Sequence, residues 1–255
     1  MGKIISVVNQ KGGVGKTTTA INLSVYLSYF GKQVLLVDVD PQANATSGIG
    51  IDHKELDSGL YEAIINEKEI YEIIKKTIQK GLSVAPSTSS LAGAGIELVN
   101  TQDREFVLTN ILNSIKEEYD YIIIDGPPSL GLLTVNSLVA ADEILIPVQS
   151  EYYALEGLGQ LLETISLVQL NLKNDLGIMG AVITMFDKRN KLSSSVMNEL
   201  YQYFPNRVFR SVIPRSVQLA EAPSYGRSIL HYDSKSRGSR AYEILAREII
   251  TLENY

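Results

Sequence analysis

Ten residues carry the most chemistry in this chain: Asn9-Gln10-Lys11-Gly12-Gly13-Val14-Gly15-Lys16-Thr17-Thr18, set between the apolar run Ile4–Val8 and a helical pattern that starts at Thr17. Glycines let a backbone curl until successive N–H groups face one anion, and the positive end of the following helix adds to the attraction. Lys16 then supplies a point charge for the β- and γ-phosphates of a nucleotide, and the Thr17 hydroxyl is placed for Mg²⁺. Gly12, Gly13, Val14, Gly15 and Thr18 complete the cradle. The common spacing G-x-x-x-x-G-K-[ST] fails at its first position, which is Gln10, and a second lysine, Lys11, opens the loop instead. One lysine suffices for one γ-phosphate, so Lys11 is redundant within a single subunit.

Three aspartates follow apolar strands. Asp38 and Asp40 end the run Val34–Val39, and Asp125 ends Tyr121–Ile124. A carboxylate at the end of a strand can accept from metal-bound water or orient an attacking water, although Asp before Pro41 also suits a simple turn. Gly126-Pro127-Pro128 makes a stiff turn after Asp125. The chain has no cysteine and only two histidines, His53 and His231. Disulfide frameworks, thiolate zinc sites, cysteine-held iron–sulfur clusters and cysteine nucleophiles are thereby excluded.

Positioning such loops requires strands that alternate with helices. Strand candidates are 3–8, 33–37, 82–85, 121–124, 143–147, 177–184 and 207–212. Helical candidates are 17–30, 103–118, 155–172, 193–204 and 239–252. Runs such as Val34-Leu35-Leu36-Val37 and Ile122-Ile123-Ile124 are apolar throughout, as in strands buried on both faces of a parallel sheet. The expected fold is a doubly wound α/β domain over residues 1–255, with a mostly parallel sheet, helices on both faces, and ligands outside the carboxyl ends of the strands. At 255 residues and 45% hydrophobic, the chain can bury a full core. No apolar run approaches the roughly 20 residues that span a membrane, so the expected location is the cytoplasm.

Lys11-Gly12-Gly13-Val14-Gly15-Lys16-Thr17 resembles the deviant phosphate loop of the ParA/MinD group, within the P-loop NTPase type of fold. The whole chain resembles the small ParA (Soj) partition ATPases. Val37-Asp38-Val39-Asp40-Pro41-Gln42, Ile124-Asp125-Gly126-Pro127-Pro128-Ser129, Pro147-Val148-Gln149, Val212-Ile213-Pro214-Arg215 and Glu221-Ala222-Pro223-Ser224-Tyr225-Gly226 all fit. The resemblance implies a Mg²⁺-dependent ATPase that forms a homodimer when loaded with ATP. It implies that Lys11 reaches the partner's nucleotide across the dimer, that Gly12 permits close approach, and that Asp40 acts on the attacking water. Asp38 would lie near the water shell of the metal, and Asp125 would match the Walker B aspartate. Adenine would sit near Met185, Phe186, Pro214 and Ser216, residues that a core would also accept. Glu151 would approach the partner's ribose.

Charge is segregated. Residues 1–184 hold 12 basic and 22 acidic side chains; residues 185–255 hold 11 and 7, within a formal net charge of −6. Arg104 is the only arginine before residue 184, and eight follow. Arginine forks suit phosphate. Lys188, Arg189, Arg215, Arg237 and Arg240 are therefore candidates for a sequence-nonspecific DNA face in a nucleoid-associated ATP dimer, discharged by a ParB-like activator. Gln218 departs from the resemblance, since relatives often carry a basic residue there. A MinD-like role at a membrane calls for a basic amphipathic end, and Ile249–Tyr255 contains no lysine or arginine. An ATPase that positions another protein assembly is the remaining alternative. Iron–sulfur relatives are set aside because they need cysteines.

Overall fold

The computed structural model describes residues 2–151, 154–205 and 207–252. Eight strands form one sheet: β1 (Lys3–Val7), β2 (Val34–Asp38), β3 (Lys75–Lys76), β4 (Leu82–Ala85), β5 (Tyr121–Asp125), β6 (Glu143–Gln149), β7 (Gly177–Phe186) and β8 (Val208–Pro214). Their order is β3-β4-β2-β5-β1-β6-β7-β8, and every pairing is parallel except β3 with β4. The chain winds outward from β1 in one direction through β2 and in the other through β6. That reversal opens a crevice at the carboxyl end of β1, the place where open α/β sheets in general bind ligands.

Two cores cover the sheet, and the strands divide between them with a period of two. Leu35, Val37, Ile122, Ile124, Ile144 and Ile146 face one side, under the helices Val107–Asn113, Leu132–Ala140, Ala154–Asn171 and Lys191–Tyr203. Val34, Leu36, Tyr121, Ile123, Leu145 and Val182 face the other, under Lys16–Tyr29 and Arg237–Leu252. These last two helices are joined by buried hydroxyls: Thr19 pairs with Tyr242 at 3.1 Å, and Tyr26 with Ser239 at 2.5 Å.

The expected strands form, with ends moved by one or two residues. The segment expected as one helix over 103–118 is instead three pieces: a 3-10 turn at Arg104–Phe106, a helix at Val107–Asn113 and another 3-10 turn at Lys116–Glu118. Asn136 supplies the reason for the first of the two breaks. Its Oδ1 accepts from the Leu108 N–H at 3.1 Å and its amide donates to the Arg104 carbonyl at 2.9 Å, so a side chain takes over bonds that a continuous helix would have made for itself. Among the described residues no helix is long and apolar enough to cross a membrane.

Candidate functional site

The period that builds the cores also builds the site. Asp38 shares a face with Val34 and Leu36, and Asp125 shares it with Tyr121 and Ile123. The two aspartates are cross-strand partners, Val7 of β1 pairs with Asp125, and all lie on the side of the helix Lys16–Tyr29. Three strand ends and one helix start therefore meet at the crevice.

The loop between β1 and that helix is held from several sides. Gly13 and Gly15 take φ values of 74° and 92°, the left-handed region where a side chain is strained. The Thr184 hydroxyl at the end of β7 donates to the Val14 carbonyl at 2.7 Å. Asn9 donates to the Pro147 carbonyl at 2.8 Å and accepts from the Lys11 N–H at 3.0 Å. Gln10 donates to the Gly157 carbonyl and to Gln160 Oε1. Lys16, only 6% exposed, donates from Nζ to the Lys11 carbonyl at 3.0 Å. Burial lowers its pKa, and Asp125 and Asp40 oppose that shift. Lys11 is half-buried beside a cavity of about 550 Å³ shared with Gln10, Pro128, Ser129, Leu130, Gly157 and Gln160.

The three aspartates differ in their partners. Asp38 Oδ2 accepts from the Thr46 N–H at 2.8 Å and the Thr46 hydroxyl at 2.7 Å, and its Oδ1 accepts from the Asp40 N–H at 3.2 Å. Burial nonetheless pushes Asp38 up to about 6. Asp40 Oδ1 accepts from the Gln42 N–H at 2.9 Å. Both oxygens of Asp125 are buried without a well-formed hydrogen bond. Burial and the Asp38 charge raise its pKa well above the carboxylate range, while the nearby Thr17 hydroxyl and Lys16 draw it back.

A buried carboxylate without donors is costly, and a hard cation or its bound water relieves that cost. Thr17, Asp38 and Asp125 form an all-oxygen donor set of the kind Mg²⁺ prefers. Among the described residues no three His, Cys, Asp or Glu side chains gather closely enough to hold a metal alone.

A cleft of about 1510 Å³ opens at the ends of β7 and β8. Phe186, Pro214 and Ser216 line it, together with Lys188, Arg189, Arg215, Gln218 and Arg237. Met185 stands behind this wall with a φ of 52°, and its carbonyl accepts from the Ser150 hydroxyl. Three of the four adenine candidates and four of the five DNA candidates therefore share one cavity. Arg240 is exposed on the same helix as Arg237. Two of the arginines are already engaged: Arg189 makes a two-pronged pair with Asp187, and Arg215 meets Glu151 at 3.0 Å.

A family model described as an AAA domain matches residues 2–178. The sporulation initiation inhibitor protein Soj of Bacillus subtilis is 54% identical over 249 residues, 98% of each chain. The chromosome partitioning protein ParA of Myxococcus xanthus is 51% identical over 250 residues, covering 98% of this chain and 88% of its own. The chain belongs to the ParA/Soj family of chromosome-partitioning ATPases. Among solved structures, cobyrinic acid a,c-diamide synthase from Mycobacterium smegmatis with bound ADP and magnesium is 34% identical, with a TM-score of 0.89 over 100% of this chain and 96% of that one. The same fold thus carries a relative with a different name.

In this ParA/Soj protein several polar residues around the site were not legible from sequence. Thr46, Ser87 and Thr184 act through partners dozens of residues away. Neither period nor motif marks them. Gln10 carried a signal, as the residue in the place of the first loop glycine.

Proposed function

We propose that this chain is a Mg²⁺-dependent ATPase that dimerises on binding ATP, binds DNA non-specifically as that dimer, and hydrolyses ATP when a ParB-like partner stimulates it, in chromosome or plasmid segregation. The observation that carries the reading is the meeting of Lys16, Thr17, Asp38, Asp40 and the unpartnered Asp125 at one end of the sheet. Thr17, Asp38 and Asp125 would hold Mg²⁺, whose positive charge would offset the negative charge of the nucleotide phosphates.

The residues of the chain do the rest. The loop N–H groups and Lys16 hold the phosphates, and Lys16 moves its ammonium from the Lys11 carbonyl to the γ-phosphate. Phe186 and Pro214 bracket the base, with Met185 and Ser216 beside them. Asp40 orients the attacking water. Lys11 acts on the partner's nucleotide and Glu151 on the partner's ribose, so the catalytic set is complete only in the dimer. Turnover without the activator is correspondingly slow. Lys188, Arg189, Arg215, Arg237 and Arg240 contact DNA phosphates.

An electrophoretic shift of DNA with ATP and with ADP, across a salt series, tests the scheme. Binding in ATP alone with a steep salt slope supports it. Equal binding in both nucleotides defeats it.

A further inference from the structure

Thr46 lies outside every motif that the proposed reaction uses, yet it is fully buried and fully engaged. A threonine hydroxyl has one proton to give. Here Thr46 Oγ1 accepts from the Ser87 N–H at 2.9 Å, and its one proton is directed to Asp38 Oδ2 at 2.7 Å. The Thr46 N–H meets the same oxygen at 2.8 Å. Oδ2 is therefore saturated by one residue, and the open acceptor capacity of Asp38 is confined to Oδ1. The chain of bonds Ser87–Thr46–Asp38 also ties the end of β2 to the loop after β4, two neighbouring strands whose ends must keep their spacing.

We propose that Thr46 is a positioning residue for the cation site: its hydroxyl, oriented by Ser87, fixes the Asp38 carboxylate so that Oδ1 is presented on the side of Asp125. The inference rests on the reading of Asp38 and Asp125 as the Mg²⁺ end of the site. It assigns Thr46 no contact with nucleotide. Outer hydrogen-bond partners of this kind commonly set metal affinity by ten- to a hundredfold.

The test is the affinity for a fluorescent ADP in EDTA and in Mg²⁺, for the full chain, Thr46→Val and Thr46→Ser. In the unaltered protein Mg²⁺ strengthens binding. Thr46→Val is expected to lose about tenfold of that gain, while Thr46→Ser retains it and affinity in EDTA is the same in all three. A general loss of structure would instead lower both affinities and leave their ratio alone. A Mg²⁺ gain in Thr46→Val equal to that of the unaltered protein overturns the proposal, as does a gain in Thr46→Ser as small as that in Thr46→Val. If the unaltered protein itself shows no gain, the cation reading fails and takes this inference with it. Thr46→Ala, which also lacks the hydroxyl, carries the same comparison should the valine variant not fold.

Discussion

At the phosphate end of the crevice Lys16 is 6% exposed, Asp38 and Asp125 are fully buried, and the loop is tied to β6, to β7 and to the helix Ala154–Asn171. At the far rim Arg189 is 90% exposed at its side chain, Arg215 is 59%, and each is satisfied by a carboxylate of its own chain. The first region has already met the cost of removing charges from water, so each interaction there acts at low dielectric and its loss is severe. The second stays hydrated, and its ion pairs exchange for other anions at small cost. On the proposed function, nucleotide recognition is therefore an all-or-none event, and binding at the basic rim a graded, salt-sensitive one.

The largest break in that contrast is Lys16→Ala. It is expected to weaken ATP binding by about a hundredfold or more, because a charge-assisted contact to phosphate is lost within a buried site. Titration of a fluorescent ATP analogue measures this, and unchanged affinity removes the assignment of the loop. Asp40→Ala should keep ATP affinity while hydrolysis falls by about 10²–10⁴, the usual worth of a positioned base, leaving a trapped ATP dimer. Phosphate release with the partner present reads it.

Gly12→Val separates the subunit from the assembly. A Cβ at Gly12 meets nothing within 4 Å in the single chain, so the variant should fold and bind ATP normally. Light scattering in ATP is expected to find a monomer; a dimer there argues against close backbone approach. The smallest effects lie at the rim. Arg189 holds the Asp187 carboxyl at about 2, and Asp187→Asn releases that arginine. Gln218, whose Oε1 accepts from the Ser216 hydroxyl, can be replaced by arginine. Each change is expected to steepen the log–log salt dependence of DNA binding by about 0.9, the contribution of one added phosphate contact. An unaltered slope in both places DNA elsewhere.

The order of legibility follows the same division. The apolar runs ending in Asp38 and Asp125 announce both a buried parallel sheet and the chemistry at its edge, because strand ends and site are one feature. The phosphate loop is local, and its glycines and Lys16 are readable in ten residues. The helix Leu132–Ala140 has no comparable signal, because it is buried over much of its surface and lacks an amphipathic period. Short pieces such as Asn44–Gly48 depend on Ala43 at a φ of 53°, a conformation that alanine's type does not advertise. The pairing of Glu151 with Arg215 spans 64 residues and joins two candidates that sequence could only place apart, one at a ribose and one on DNA. Tertiary partners decide these cases, and no local signal encodes them.

The two buried hydroxyl pairs between the helices Lys16–Tyr29 and Arg237–Leu252 also govern when the site can exist. Their members lie 223 and 213 residues apart, so the helix that begins at the phosphate loop cannot bury its polar groups until nearly the whole chain is available. At synthesis rates of about 5–20 residues per second the gap lasts roughly 10–40 s. Contacts of such long range are the slow ones in folding. A nascent chain thus carries the loop sequence well before Ser239 and Tyr242 are present to pair with the helix behind it.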